Sequence, residues 1–145
     1  MNEYLNVIRR NYANFSGRAR RREYWMFTLV NLIISTLLYI PMMALGLNPA
    51  ASVGGDVAAQ VNPLAYIFGG LYLLYSLAVL VPSLAVMIRR LHDTGKSGWW
   101  ILIGIIPLAS LVLLVFTIMD SEPGSNKWGP NPKGQGAALP TGSNW

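Results

Sequence analysis

The chain has no cysteine and a single histidine, His92, and only 12% of its residues are charged. Without cysteine there is no disulfide framework and no thiolate metal site, and the redox compartment leaves no mark. One imidazole with no thiol makes a poor metal site, so neither metal nor cofactor is expected. A soluble domain carries about 25% charged residues, so roughly half of an ordinary solvated surface is missing. Charge is also absent locally. Residues 25–45, 64–88 and 99–119 hold no Asp, Glu, Lys, Arg or His, and the connection 46–63 holds no Lys or Arg.

What fills the gaps is apolar: 53% of the residues are hydrophobic and the mean hydropathy is +0.40. The three uncharged runs are 21, 25 and 21 residues long. At about 1.5 Å per helical residue, about 20 residues cross a hydrocarbon core of about 30 Å, and soluble core helices are shorter and carry a polar stripe. The chain is therefore expected to be an all-α integral membrane protein with three transmembrane helices near 25–45, 64–88 and 99–119. Residues 1–132 form one helical membrane domain in this reading, and 133–145 a disordered tail rich in Pro, Gly, Asn and Ser. The first run does not read as a cleaved signal peptide. A signal has an apolar stretch of about 7–15 residues, whereas here a polar segment of 24 residues precedes a run of full spanning length.

Nine of the eleven Lys and Arg residues fall in two places. Arg9, Arg10, Arg18, Arg20, Arg21 and Arg22 precede the first run, and Arg89, Arg90 and Lys96 follow the second. The positive-inside rule places both groups in the cytoplasm of a multi-pass protein, and three spans then send the tail to the outer side. Tyr4, Leu5, Ile8, Tyr12 and Phe15 recur at three- and four-residue steps, which predicts a short amphipathic helix over 3–14. It would lie in the headgroup plane with its arginines over anionic lipid, or pack against the cytosolic loop. Tyr24, Trp25, Trp99 and Trp100 open the first and third runs, at the depth of an aromatic belt.

The densest polar stretch is "RRLHDTGKSGWW", residues 89–100. A P-loop ending at Gly95, Lys96 and Ser97 needs glycine at position 90, which is Arg90. "DTG" resembles half of an aspartic protease dyad, but that chemistry needs two carboxylates sharing a proton. His92 and Asp93 are adjacent, and neighbours on a helix do not face each other. A capping turn explains more. Gly95 suits the left-handed residue that ends a helix, Arg89, Arg90 and His92 complement the dipole of its last turn, and Ser97 suits an N-cap. Asp93 sits on the wrong side of that dipole and needs a cation: Arg89, or one of Arg18, Arg20, Arg21 and Arg22. We expect Asp93 to pin the N-terminal basic segment to this turn.

"FSGRARRREYWMF", "RRLHDTGKSGWW" and "NKWGPNP", in that order, resemble the family called domain of unknown function 805, small bacterial inner-membrane proteins of the YhaH and YhaI kind. The resemblance covers residues 4–132. It singles out Gly17, Arg18, Arg20, Arg21, Glu23, Tyr24 and Trp25 in the first motif. In the second it marks Arg89, Arg90, Leu91, His92, Asp93, Ser97, Gly98 and Trp99, and in the third Asn126, Gly129, Pro130 and Pro132. The chain departs from the pattern at Trp128, where Tyr or Phe is usual, and at Asn131, where Asp is usual. The resemblance implies an inner-membrane location and brings no activity. Three motifs that work together would also sit naturally on one membrane face. A third run kinked at Gly104 and Pro107 that re-entered would return the tail inside.

The leading functional expectation is a non-enzymatic binding or scaffold protein. Its Arg18, Arg20, Arg21, Arg22, Arg89, Arg90, His92 and Asp93 would contact anionic lipid or a protein partner, with Gly95 and Trp100 as parts of the supporting turn. The alternative for these charges is that they only set topology. A transporter or channel component is the second reading, assembled as a homo-oligomer through Gly69, Gly70 and Gly104, although relays usually need an ionisable residue within a span. A membrane-surface enzyme using His92 and Asp93 is the third. No nucleic-acid partner is expected.

Overall fold

The computed structural model describes residues 2–47 and 61–134. Most of the tail expected to be disordered, 135–145, and the centre of the first connection lie outside the described residues. The described residues form α1 (Asn2–Arg10), α2 (Arg21–Ala44), α3 (Pro63–Asp93), a 3-10 helix (Gly98–Ile105) and α4 (Ser110–Ile118). There is no strand among them, only an isolated bridge between Asn126 and Gly129. The chain packs as two compact units, Met1–Phe27 with Pro82–Trp145, and Thr28–Val81.

Two helices have membrane length. α2 has 24 residues and α3 has 31, or about 36 and 46 Å. Only 11% and 17% of their most apolar windows are buried. The core helix of a soluble protein would be mostly covered. Here Leu32, Leu37, Ile67, Leu74 and Leu77 are all more than half exposed, which is sensible only against lipid. Within the second unit the polar atoms meet each other: Tyr75 donates to Asn31, and Tyr39 and Tyr72 pack at 5.9 Å. A Cβ on Gly69 would stand 2.8 Å from Leu47 Cδ2, so that glycine is filled by its own chain, whereas Gly70 faces open space.

In the first unit α1 docks on its neighbours. Val7 is fully buried with Ala19, Phe27 and Val86, and Tyr4, Ile8 and Tyr24 pack around them. Tyr4 stacks on Phe27 at 5.6 Å. The helix is shorter than the expected 3–14, ending at Arg10, and Leu5, Tyr12 and Phe15 remain about 40% exposed.

The third apolar run is not one helix, so the expected third membrane-length helix is not found among the described residues. Its first part is an eight-residue 3-10 helix and its second the nine-residue α4, reaching about 16 Å and about 14 Å. Neither crosses a core of about 30 Å. The break falls where Pro107 has no N–H to continue the ladder. Ile106 N–H instead bonds Ile103 O, Ser110 N–H bonds Ile106 O, and the Ser110 hydroxyl donates to Pro107 O at 2.5 Å. The two arms pack as a hairpin. Trp100 meets Phe116 edge-on at 5.5 Å, and a Cβ on Gly104 would lie 3.1 Å from Leu113 Cδ1.

Both ends of the hairpin return to the end of α3. Lys96 N–H bonds Leu91 O at 2.9 Å, and Glu122 N–H bonds Asp93 O at 2.8 Å. The tail is therefore beside the N-terminal segment, on one side of any membrane that α2 and α3 cross. The chain has no native cysteine, so single-cysteine labelling reads this directly. Cysteines placed at Ser16 and Ser125, both exposed, should react with an impermeant maleimide from the same side of the membrane. Reaction from opposite sides would restore the third span.

Candidate functional site

α3 runs one turn past Ile88 and stops in a Schellman closure. Gly95 has φ +74, its N–H bonds His92 O, and Lys96 N–H bonds Leu91 O, the two bonds that satisfy the last free carbonyls. The turn this creates is covered by the segments on either side. Arg89, Arg90, Leu91, His92, Asp93 and Thr94 are all buried.

Asp93 is the centre. Its Oδ1 accepts from Arg18 Nε at 2.9 Å, and its Oδ2 accepts from Arg90 Nη1 and from Ser121 Oγ at 2.6 Å. The cation from the N-terminal segment is thus Arg18, and not Arg20, Arg21 or Arg22. The local one is Arg90, three residues back, and not Arg89. Arg18 spends its other donors on the tail and the turn: Nη1 on Gly124 O at 2.9 Å and Gly129 O at 3.4 Å, Nη2 on Glu122 O at 2.6 Å and Asp93 O at 3.2 Å. Arg90 reaches Thr117 O at 3.2 Å, Ala19 O at 3.4 Å and Met119 O. The first and last of these belong to the end of α4, where a cation replaces missing donors and complements the dipole. Burial pulls the Arg90 guanidinium below its ordinary value, and Asp93 opposes that pull.

Arg89 forms a separate pair, Nη1 to Glu23 Oε1 at 2.8 Å, with both side chains largely buried. His92 lies flat on Trp128, ring centres 4.4 Å apart and planes 10° from parallel. Its Nδ1 is 3.3 Å from Gly17 O. A carbonyl can only accept, so Nδ1 carries the proton. Gly98 lies close to the ring's Nε2: a Cβ there would stand 2.9 Å from Ile88 Cγ2 and 3.4 Å from His92 Nε2. Burial lowers the His92 pKa first, the Gly17 bond partly opposes it, and the positive charge of Lys127 lowers it further.

The third motif is a tight turn bound to this cluster. Asn126 and Gly129 exchange two backbone bonds of 3.0 Å, and Asn126 Nδ2 donates to His92 O at 2.9 Å. Asn131 Nδ2 donates to Glu122 O at 3.1 Å, a bond that a carboxylate at this position could not make. Pro130 and Pro132 flank it. Gly17 has φ +82, turning the chain so that its carbonyl meets His92. Tyr24 and Trp25 meet edge to face at 5.6 Å. Ser97 precedes the 3-10 helix but its side chain makes no cap bond, because the helix opens with 3-10 bonds, and Trp99 is 78% exposed.

The predicted binding residues thus divide. Arg18, Arg89, Arg90, His92 and Asp93 come together in the interior. Arg20 and Arg22 are exposed, as are Arg9 and Arg10 on α1. Arg21 is half-exposed, bonding Ile118 O at 2.9 Å and Asp120 at 3.3 Å. Ser121 and the backbone of Glu122 are members that sequence reasoning did not name, and no pattern in the sequence marks them. Val7 carries a signal that was there to use, since it lies three residues after Tyr4. Among the described residues no group of three potential metal ligands occurs.

Removing the central carboxylate leaves two buried guanidiniums uncompensated, and breaking such a group costs about 3–5 kcal/mol. Asp93→Asn should lower detergent-solubilised stability by that amount in denaturant titration, while Arg22→Gln at the surface should change it by less than about 0.5 kcal/mol. The His92 pKa is depressed on folding, so the unfolded chain takes up the proton more readily. Its contribution is complete above the ordinary value of 6.5 and is lost as pH falls below it. Thermal midpoints measured at pH 7.5 and 5.5 should fall toward acid in the native chain, and His92→Gln should reduce that fall.

The family model described as "protein of unknown function (DUF805)" matches residues 12–130. The chain is 44% identical over 134 residues to "Inner membrane protein YhaI" of Escherichia coli strain K12, covering 92% of this chain and 97% of that protein. It is 42% identical over 134 residues to "Inner membrane protein YhaH" of the same strain, covering 92% and 98%. No solved structure matches it. With two exposed apolar helices of membrane length and these relatives, it is a bacterial inner-membrane protein. The chain belongs to the DUF805 family.

Proposed function

We propose that the protein is a non-enzymatic inner-membrane scaffold, anchored by α2 and α3, whose cytoplasmic end binds anionic lipid through exposed arginines. The observation that carries this is the division of the arginines. Arg18 and Arg90 are consumed by carbonyls and Asp93 inside the fold, which leaves Arg9, Arg10, Arg20 and Arg22 exposed in the same unit. The positive-inside rule supports putting that unit in the cytoplasm. α1 then lies at the headgroup level with Leu5, Tyr12 and Phe15, each about 40% exposed, available to the interface. The short hairpin enters the same leaflet and returns.

Against an enzyme, His92 is covered by Trp128 and bonded to Gly17, and both Asp93 oxygens are engaged. No hydrogen bond links the two residues.

Each basic residue near an anionic surface contributes about 1 kcal/mol. Replacing Arg9, Arg10, Arg20 and Arg22 by Gln together should strip most anionic lipid from protein purified in mild detergent, as read by mass spectrometry of the copurifying lipids. The native chain should show the same loss on raising salt. Equal anionic enrichment in both proteins would remove the proposal and leave the charges as topology signals alone.

A further inference from the structure

Two buried donors in the first unit, Nε and Nη2 of Arg89, have no acceptor among the described residues. The contrast with its neighbours is sharp, because Arg18 and Arg90 engage all three of their nitrogens. Arg89 is 3% exposed, and its Nη1 is already held by Glu23 at 2.8 Å. Nε and Nη2 point the same way and form one complete edge of the guanidinium, the edge that grips an oxyanion by two parallel bonds. Donors left buried without a partner are costly, so this edge calls for an acceptor that the described residues do not supply.

The charge has the same sign. Three buried guanidiniums, of Arg18, Arg89 and Arg90, face two buried carboxylates, of Glu23 and Asp93. Asp120 and Glu122 are exposed and are engaged by Lys133, Arg21 and Asn126. Position then narrows the anion. Arg89 directly follows Ile88, the last residue of an uncharged run of 25, at the level where a spanning helix meets the phosphates of the headgroups.

We propose that the Nε–Nη2 edge of Arg89 is a discrete site for one phosphate group, carried by a phospholipid headgroup or free as phosphate. This goes beyond the exposed belt, which attracts any anionic lipid, weakens with salt and fixes no geometry. Phe27 and Val86, one helical turn from Glu23 and Arg89, belong to the cluster that Val7 of α1 completes, and in this proposal α1, packed one turn away, shifts to admit the ligand.

The test uses the full chain in an uncharged detergent, titrated with inorganic phosphate, with phosphatidylglycerol, and with diacylglycerol as the headgroup-free control. Native mass spectrometry counts bound equivalents and the thermal midpoint follows stabilisation. One saturable equivalent is expected with phosphatidylglycerol or phosphate, weakened about tenfold or more in Arg89→Lys, which keeps the charge and loses the edge. Glu23→Gln disturbs the same ion pair but leaves the edge intact and removes a negative charge, so it should bind as tightly or more tightly. Binding of both probes in competition assigns the phosphate group itself, and binding of phosphatidylglycerol alone assigns the lipid.

Several results would overturn the site: no saturable equivalent, equal uptake of diacylglycerol, unchanged binding in Arg89→Lys, or equal loss in Glu23→Gln. Loss in Arg20→Gln with Arg22→Gln while Arg89→Lys binds normally would also overturn it. That outcome would assign the binding to the exposed belt, so the two readings fail separately.

Discussion

Asp93 holds two guanidiniums at once, and the rest of the first unit is arranged around that fact. Taking ions from water costs several kcal/mol each, and attraction between them repays it only when the remaining donors are satisfied. Here they are satisfied by backbone. Arg18 and Arg90 together bond the carbonyls of Ala19, Thr117, Met119, Glu122, Gly124 and Gly129. Most of these lie in chain that has no helix or sheet ladder to pair them. The two arginines do for the tail what secondary structure does elsewhere, and they are held in place by one carboxylate.

The hairpin follows from the same anchor. Lys96 is tied to Leu91 by the Schellman closure, and Thr117, Met119 and Glu122 are tied to Arg90 and Asp93. A run of 21 apolar residues lies between. With both ends fixed at one point, it must fold back whatever its hydropathy, and Pro107 provides the place. Trp99, Ile105 and Leu108 on this hairpin are each about four-fifths exposed, so its apolar character does not decide how far it reaches.

This explains what was legible. Length and the absence of charge identify α2 and α3 because a spanning helix is a local property: each residue contributes apolarity and rise independently of the others. Gly95 was legible for a similar reason, since only its own φ was at stake. The break in the third run was not legible, because the same local test cannot see that its ends are pinned by residues 90 and 93. The stretch 89–100 showed that Asp93 needed a cation, and the dipole argument was sufficient for that. It could not choose Arg18 over Arg20–22, because the choice depends on a turn at Gly17 and on the tail carbonyls that surround the guanidinium. The amphipathic face of α1 was visible, yet its buried centre is Val7, one position from Ile8. About a quarter turn of rotation is set by what the helix packs against, which sequence periodicity leaves open.

The arginines also act at different times. In chain order Arg18 comes first, then α2 and α3 with Arg89 to Asp93, and only afterwards the carbonyls of residues 117–129 that enclose them. While α2 and α3 insert, the clustered arginines are unpaired with the tail and carry the charge asymmetry that orients a helical pair. Helices that are each stable in the bilayer associate before later segments pack upon them. Arg18 and Arg90 are then enclosed by carbonyls of a segment made later. A charge cluster can therefore be a topology signal and a structural core in turn. Its presence in the sequence does not decide between those roles, whereas its acceptors in the folded chain do. By that criterion Arg18 and Arg90 are structural, Arg9, Arg10, Arg20 and Arg22 stay exposed, and Arg89, with one edge bound and one edge without an acceptor among the described residues, belongs wholly to neither group.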